Sequence, residues 1–265
     1  MLFPFRDNVP TRHTPLATYG LIAINAAVFV SMLGLPEEKR EELVLRRGFI
    51  PARIGQLFHG RVLEVEMPRE RVITPDGQME LLVEEIRLAP APRQTLASLV
   101  TSMFLHGGWL HLLGNMWLLW IFGDNVEDRL GIALYLLLYL GGGMVALGCQ
   151  WAVSPNSAIP VIGASGAVAA ILGAYAVTWP FARVQTLVFL LFFVTIIELP
   201  ALLVLGFWFF GQLLAATQSL SLRDMGYQGG VAFWAHVGGF LAGLLAMPSL
   251  DDMLRPRPLP PTDDF

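Results

Sequence analysis

Six stretches of this chain are each apolar over roughly 20 residues, the length a helix needs to cross the hydrocarbon core of a bilayer. They are Ala17–Leu35, Leu99–Phe122, Ile132–Val153, Ile159–Trp179, a long run within Val184–Ala216, and Gly230–Met247. The middle of a bilayer offers no water, so each run must satisfy its backbone N–H and C=O groups internally, as a helix. Of the 265 residues, 55% are hydrophobic and 14% charged, against about 25% charged in a soluble domain. The expected fold is an all-α membrane protein, a bundle of six transmembrane helices. The net charge of −4 is small and spread out, which leaves no basic footprint for nucleic acid. The single cysteine, Cys149, cannot form an intrachain disulfide, so helix packing must supply the stability.

Outside the membrane domain, residues 17–247, lie two polar ends: residues 1–16 before helix one and residues 248–265 after helix six. No small-residue processing site follows the first apolar run, which is expected to remain a helix. The tail Arg255–Phe265 is rich in proline and acid, and is expected to be disordered. Residues 36–97 form a long loop between helices one and two. Within it, Val62–Glu66 and Glu80–Ile86 are strand-like and flank the turn signal Pro75-Asp76-Gly77, which predicts a small hairpin outside the membrane.

The fifth run would be about 50 Å long as one helix, too long for a bilayer without steep tilt. Pro200 marks the start of its spanning part. Val184–Ile197 is then interfacial or re-entrant. Glu198 has two readings: a functional intramembrane acid, or an interfacial cap for that helix.

Arginine in short loops sets the orientation. Arg6, Arg12, Arg129, Arg183, Arg255 and Arg257 lie on one side. The opposite short loops hold only Arg223. Both termini are expected in the cytoplasm, with residues 36–97 extracytoplasmic. Helices two, four and six then run from outside to inside.

That topology brings chemistry into view. Ser165 is about six residues into the fourth run, hence about 9 Å deep, and His236 is as far into the sixth. Below Ser165 the small residues Gly166, Ala169, Ala170, Gly173 and Ala174 share one helical face. Gly239 and Gly243 form a small-xxx-small pair below His236. If these faces meet, serine and histidine come within hydrogen-bond reach. Glycine and alanine packing alone would also explain the stripe. The serine and histidine at its upper end make it informative.

Helix two adds His106, His111 and Asn115. His111 and Asn115, four apart, share a face and can donate hydrogen bonds to an oxyanion. The Ser165 backbone N–H, near a helix start, is a further donor. A metal site from His106, His111 and His236 is disfavoured. His106 and His111 diverge by about 140° on a helix, and no acid stands at ligand spacing. No metal or cofactor is expected. A proton or ion pathway would need polar groups across the whole bilayer, and here they cluster in its outer half.

These residues resemble the rhomboid family of intramembrane serine proteases. Three blocks carry the likeness, in order: Phe104-Leu105-His106 through His111-Leu112-Leu113-Gly114-Asn115; Gly163-Ala164-Ser165-Gly166; and Ala235-His236-Val237-Gly238-Gly239-Phe240-Leu241-Ala242-Gly243. The resemblance implies a six-helix rhomboid-like bundle and a Ser165–His236 catalytic dyad. His111, Asn115 and the Ser165 N–H would stabilise the oxyanion. Glu127-Asp128-Arg129, after helix two, is similar to a structural Glu-x-Arg of the family. The implied substrates are transmembrane proteins in the surrounding bilayer, cut near the outer end of a helix. The implied location is the plasma membrane of a prokaryote.

Two positions depart from the family pattern. A Trp-Arg pair before the first histidine is replaced by Ala97-Ser98. A tyrosine four residues after the serine is replaced by Ala169. His236, with no partner acid in view, would then need another support, from Tyr175 or Trp234. Trp208 and neighbouring phenylalanines read equally as a lateral gate or as lipid-facing packing. The rival functions are an inactive rhomboid-like protein that holds transmembrane clients and a transporter. Inactive members usually lose the serine or the histidine, and both are present here.

Overall fold

A computed structural model describes residues 2–60, 62–73, 79–190, 193–224 and 231–253. Strand β1 (Leu2–Asp7) leads into α1 (Leu16–Leu33). The long loop holds α2 (Glu37–Arg47), α3 (Ala52–His59), the antiparallel hairpin β2 (Leu63–Ile73) and β3 (Met79–Leu88), and α4 (Pro92–Thr101). A 3-10 turn, Ser102–Phe104, connects α4 towards α5 (Trp109–Leu130). Then follow α6 (Ile132–Val153), α7 (Ser165–Thr178), β4 (Arg183–Leu190), β5 (Phe193–Pro200), α8 (Ala201–Asp224) and α9 (Phe233–Asp252).

Helices α1, α6, α8 and α9 are long and apolar enough to cross a membrane; α4, its 3-10 turn and α5 make a fifth candidate, bent by 79°. Ile24, Val30, Leu137, Val145, Phe207, Phe210 and Leu245 point outward and are exposed. An apolar belt of this extent suits lipid rather than water. The protein is an integral membrane protein built on a helical bundle. Helix α7 completes the six. Its Gly166–Ala176 stretch is buried among α5, α6, α8 and α9.

The helix ends differ from the hydropathy reading in informative ways. Helix two starts at Trp109, not Leu99, because Gly107-Gly108 breaks the chain between the 3-10 turn and α5. It also runs past Phe122 to Leu130, carrying Glu127, Asp128 and Arg129 inside the helix. Their charges are tolerated because each is paired. Glu127 accepts from the Ala17 and Thr18 N–H groups at 2.8 and 2.7 Å, capping α1. Asp128 holds Arg12 and His13, and Arg129 reaches Asp251 of α9 at 2.6 Å. Helix four starts at Ser165, not Ile159, because residues 154–164 form a loop.

The stretch Val184–Ile197, expected to be interfacial or re-entrant, is built of strands. It falls in the hairpin β4–β5, to which β1 adds as a third strand. Its β-branched residues and alternation suit a half-buried strand. Glu198 lies on β5, beside Arg183 at 3.7 Å and near Gln185. Both partners of that ion pair are about half exposed, so Glu198 is not a buried intramembrane acid. Pro200 ends β5 directly before α8, as expected. The expected hairpin in the long loop forms; its Pro75-Asp76-Gly77 turn lies outside the described residues, as does the tail Arg255–Phe265.

Candidate active site

Ser165 is the first residue of α7, and His236 is the fourth of α9. Helix α7 has 14 residues, about 21 Å at 1.5 Å per residue. A span of hydrocarbon is about 30 Å. Helix α7 is therefore about 9 Å shorter than a full span, with Ser165 at its first position. The six helical residues expected above Ser165 do not form; residues 154–164 reach it as a loop.

Backbone contact sets the lateral distance. A Cβ added to Gly239 would lie 2.1 Å from the Gly166 carbonyl oxygen, and one on Gly243 would lie 1.8 Å from that of Ala170. Only glycine on α9 allows α7 so near. Gly166, next to Ser165, faces Ala235, next to His236. The small-residue faces therefore meet as predicted, and Ser165 and His236 flank the same contact. Ser165 stays partly exposed while His236 is buried.

The loop before Ser165 is fastened from two sides. Phe49 of the long loop forms a two-bond bridge with Val161, at 3.0 and 2.7 Å. The Gly163 N–H donates to the Ser102 carbonyl at 2.9 Å, and the Ala164 N–H donates to His106 Nε2 at 3.5 Å. Gly163 adopts φ +117°, a conformation that favours glycine. A Cβ there would lie 2.5 Å from His111 Nε2. His111 thus packs directly on the backbone that presents Ser165.

His106 and His111 do not diverge. Their rings meet edge to face with centroids 5.0 Å apart. His106 lies before α5, so helical angles do not apply to the pair. Asn115, buried one turn below His111, donates one amide proton to the His111 carbonyl at 2.8 Å. That anchors its side chain on the same face and leaves its second N–H for another acceptor.

The support of His236 differs from both residues considered for it. Tyr175 points the other way, donating to Asp7 and packing on Phe122 and Trp179. Trp234 has a buried indole N–H with no hydrogen bond to His236. Instead, His236 Nδ1 lies 2.6 Å from Gln212 Oε1 on α8. Trp208, one turn earlier on α8, packs beside the ring, tilted by 32° with centroids 6.0 Å apart, and Phe233 meets it edge-on. Reading α8 by hydropathy passed over Gln212. Its signal was present: an amide on the helical stripe of Ala201, Leu205, Trp208 and Ala216, three of them buried.

A family model described as "Rhomboid domain" matches residues 93–250, more than half of the chain. A Danio rerio protein, "Presenilin-associated rhomboid-like protein A, mitochondrial", is 30% identical over 109 residues, covering 40% of this chain and 28% of its own. "Rhomboid-like protein 11, chloroplastic" of Arabidopsis thaliana is 45% identical over 69 residues, 26% of this chain and 24% of its own. "Putative rhomboid protease YdcA" of Bacillus subtilis (strain 168) is 36% identical over 77 residues, 29% of this chain and 38% of its own. The matches span well under half the length of each of these relatives.

Proposed function

The chain belongs to the rhomboid family, and from that premise we propose that it is an intramembrane serine endopeptidase acting on transmembrane proteins. The observation that carries the reading is the glycine contact between α7 and α9. It sets the residue after Ser165 against the residue before His236, whose Nδ1 is engaged by Gln212, and this supports the reading. The proposed cellular setting is a prokaryotic plasma membrane with both termini cytoplasmic.

In the reaction, Ser165 Oγ attacks a backbone carbonyl carbon of an unwound substrate segment. His236 Nε2 takes the hydroxyl proton as the bond forms. The carbonyl oxygen becomes an oxyanion, which accepts hydrogen bonds from His111, Asn115 and the Ser165 N–H. The tetrahedral adduct collapses, the C–N bond breaks, and His236 gives its proton to the departing amine. An ester to Ser165 remains. Water attacks that ester, His236 takes the water's proton, and its return to Ser165 Oγ releases the new carboxyl end. Substrate must unwind first because helical peptide bonds are engaged with one another. Partial exposure of Ser165 supplies a path for water.

The test is cleavage of a reporter transmembrane substrate in proteoliposomes. Wild type should cleave it, and Ser165→Ala and His236→Ala should each lose at least about 10³-fold in kcat. Equal cleavage by wild type and Ser165→Ala would sink the reading. So would a wild type that binds substrate and leaves it intact, the behaviour of a client-holding relative.

A further inference from the structure

We propose that Gln212 is the positioning residue of the dyad: its amide oxygen receives the Nδ1 proton of His236, so α8 supplies the third member of the catalytic constellation. The inference rests on the serine-protease reading above and adds to it the group that sets the base.

The argument begins with the imidazole. A neutral histidine carries one proton, on either Nδ1 or Nε2, and the partner of one nitrogen decides the state of the other. An amide oxygen only accepts. Gln212 Oε1, at 2.6 Å from Nδ1, therefore requires the proton to sit there. Nε2 keeps its lone pair, the form that can take a proton from a serine hydroxyl. With the other tautomer, Nε2 would present an N–H to Ser165 and could not act as a base. A serine triad normally uses a buried carboxylate for this task, and a triad deprived of it loses activity largely through the wrong tautomer. An amide fixes tautomer and ring plane in the same manner, but adds no full charge to stabilise the imidazolium.

The surroundings of His236 offer no substitute. Trp208 of α8 and Phe233 of its own helix are the rings beside it. Among the described residues, no carboxylate bonds its ring. Trp208 and Gln212 stand one helical turn apart on α8, so one helix both packs beside the imidazole and bonds it. Phe209 packs on Phe240, one turn below His236 on α9, with centroids 4.7 Å apart. That contact fixes the height at which Gln212 meets the ring. Ala169 of α7, packed against Gly239 of α9, has no polar group that could take this duty.

The experiment compares wild type with Gln212→Leu, Gln212→Glu and Thr217→Val in proteoliposomes. Two readouts are taken: steady-state cleavage of the reporter substrate across pH, and the rate of Ser165 labelling by a fluorophosphonate. The small probe reads nucleophile activation without needing a helix to enter the site. Gln212→Leu should lower kcat and the labelling rate by about 10–100-fold, with KM changed less than about threefold. Gln212→Glu keeps an acceptor on Nδ1 and adds charge. It should restore labelling to within about fivefold of wild type and move the acidic limb of kcat/KM upward by about one pH unit. Thr217→Val, exposed on the same helix, should change neither readout by more than about twofold.

Gln212→Leu within twofold of wild type in both readouts overturns the proposal. So does slowed cleavage with an unchanged labelling rate, which would assign Gln212 to substrate passage. A Gln212→Glu profile identical to that of Gln212→Leu overturns it as well. In each case a cleaving wild type and a silent Ser165→Ala leave the protease reading standing. A wild type that neither cleaves nor labels overturns both.

Discussion

Helices α7 and α8 both lean on α9, and they do so by different physics. Helix α7 has 14 residues and is buried along almost its whole length. It meets α9 backbone to backbone, where no side chain could fit between. Helix α8 is longer and shows Leu202, Leu203, Phe207, Phe210 and Leu214 outward. It touches α9 through side chains, Trp208 and Phe209 on Phe240. Their lower ends differ too. Tyr175 at the foot of α7 donates to the partly buried Asp7, whereas the foot of α8 carries the exposed Glu198–Arg183 pair. The contrast suggests a division of labour. Backbone packing gives Ser165 one fixed place, because two main chains in contact have no rotamers through which to relax. Side-chain packing lets α8 bring Trp208 and Gln212 to His236 on a helix that can yield.

The comparison breaks most severely at Gly243. Gly243→Leu should force α7 and α9 apart, abolish cleavage, and lower the unfolding midpoint in detergent by about 10 °C or more. A variant with wild-type Tm would show that the interface is not tight. On the α8 side, Phe209→Ala should cost more activity than fold. A fall in kcat of about tenfold is expected, with a Tm loss below about 8 °C, read by cleavage kinetics alongside thermal unfolding.

The foot of α7 gives a pH signature. Burial pushes the Asp7 carboxyl up to about 7, the hydrogen bond from Tyr175 offsetting part of that rise. The unfolded chain titrates near pH 4. The folded state thus favours the neutral acid, and its contribution is complete below about pH 4 and lost as pH rises through about 7. Asp7→Asn cannot ionise and keeps an acceptor for Tyr175. Its Tm should exceed that of wild type by at least about 2 °C at pH 8 and match it near pH 4. The reverse order would contradict the assignment. Glu198→Gln, at the foot of α8, should be the quietest change. Activity within about twofold and Tm within about 1 °C are expected, as for an exposed ion pair.

Much of this was legible in the residues. Long apolar runs located the spanning helices, and turn chemistry located the hairpin of the long loop. The spacing of small residues indicated which faces of α7 and α9 meet. Helix ends were harder to read. Glu127, Asp128 and Arg129 look like loop residues by hydropathy, and they are helical because Ala17, Arg12 and Asp251 neutralise or bond them from elsewhere in the chain. The β4–β5 hairpin was missed because a short apolar run reads alike as strand or helix, and its pairing with β1 spans most of the chain.

The identity of the polar residues and the order of the three motif blocks lay in the chain itself, because hydropathy and helical period are local properties. The support of His236 did not. Glycine spacing can say that two helices approach, but not which residue of a third helix arrives at a given ring nitrogen. That depends on crossing angle and axial offset, which the whole bundle settles together. Packing excluded Tyr175 and Trp234 and delivered Gln212, turning an unremarked amide on an apolar helix into the group that faces Nδ1.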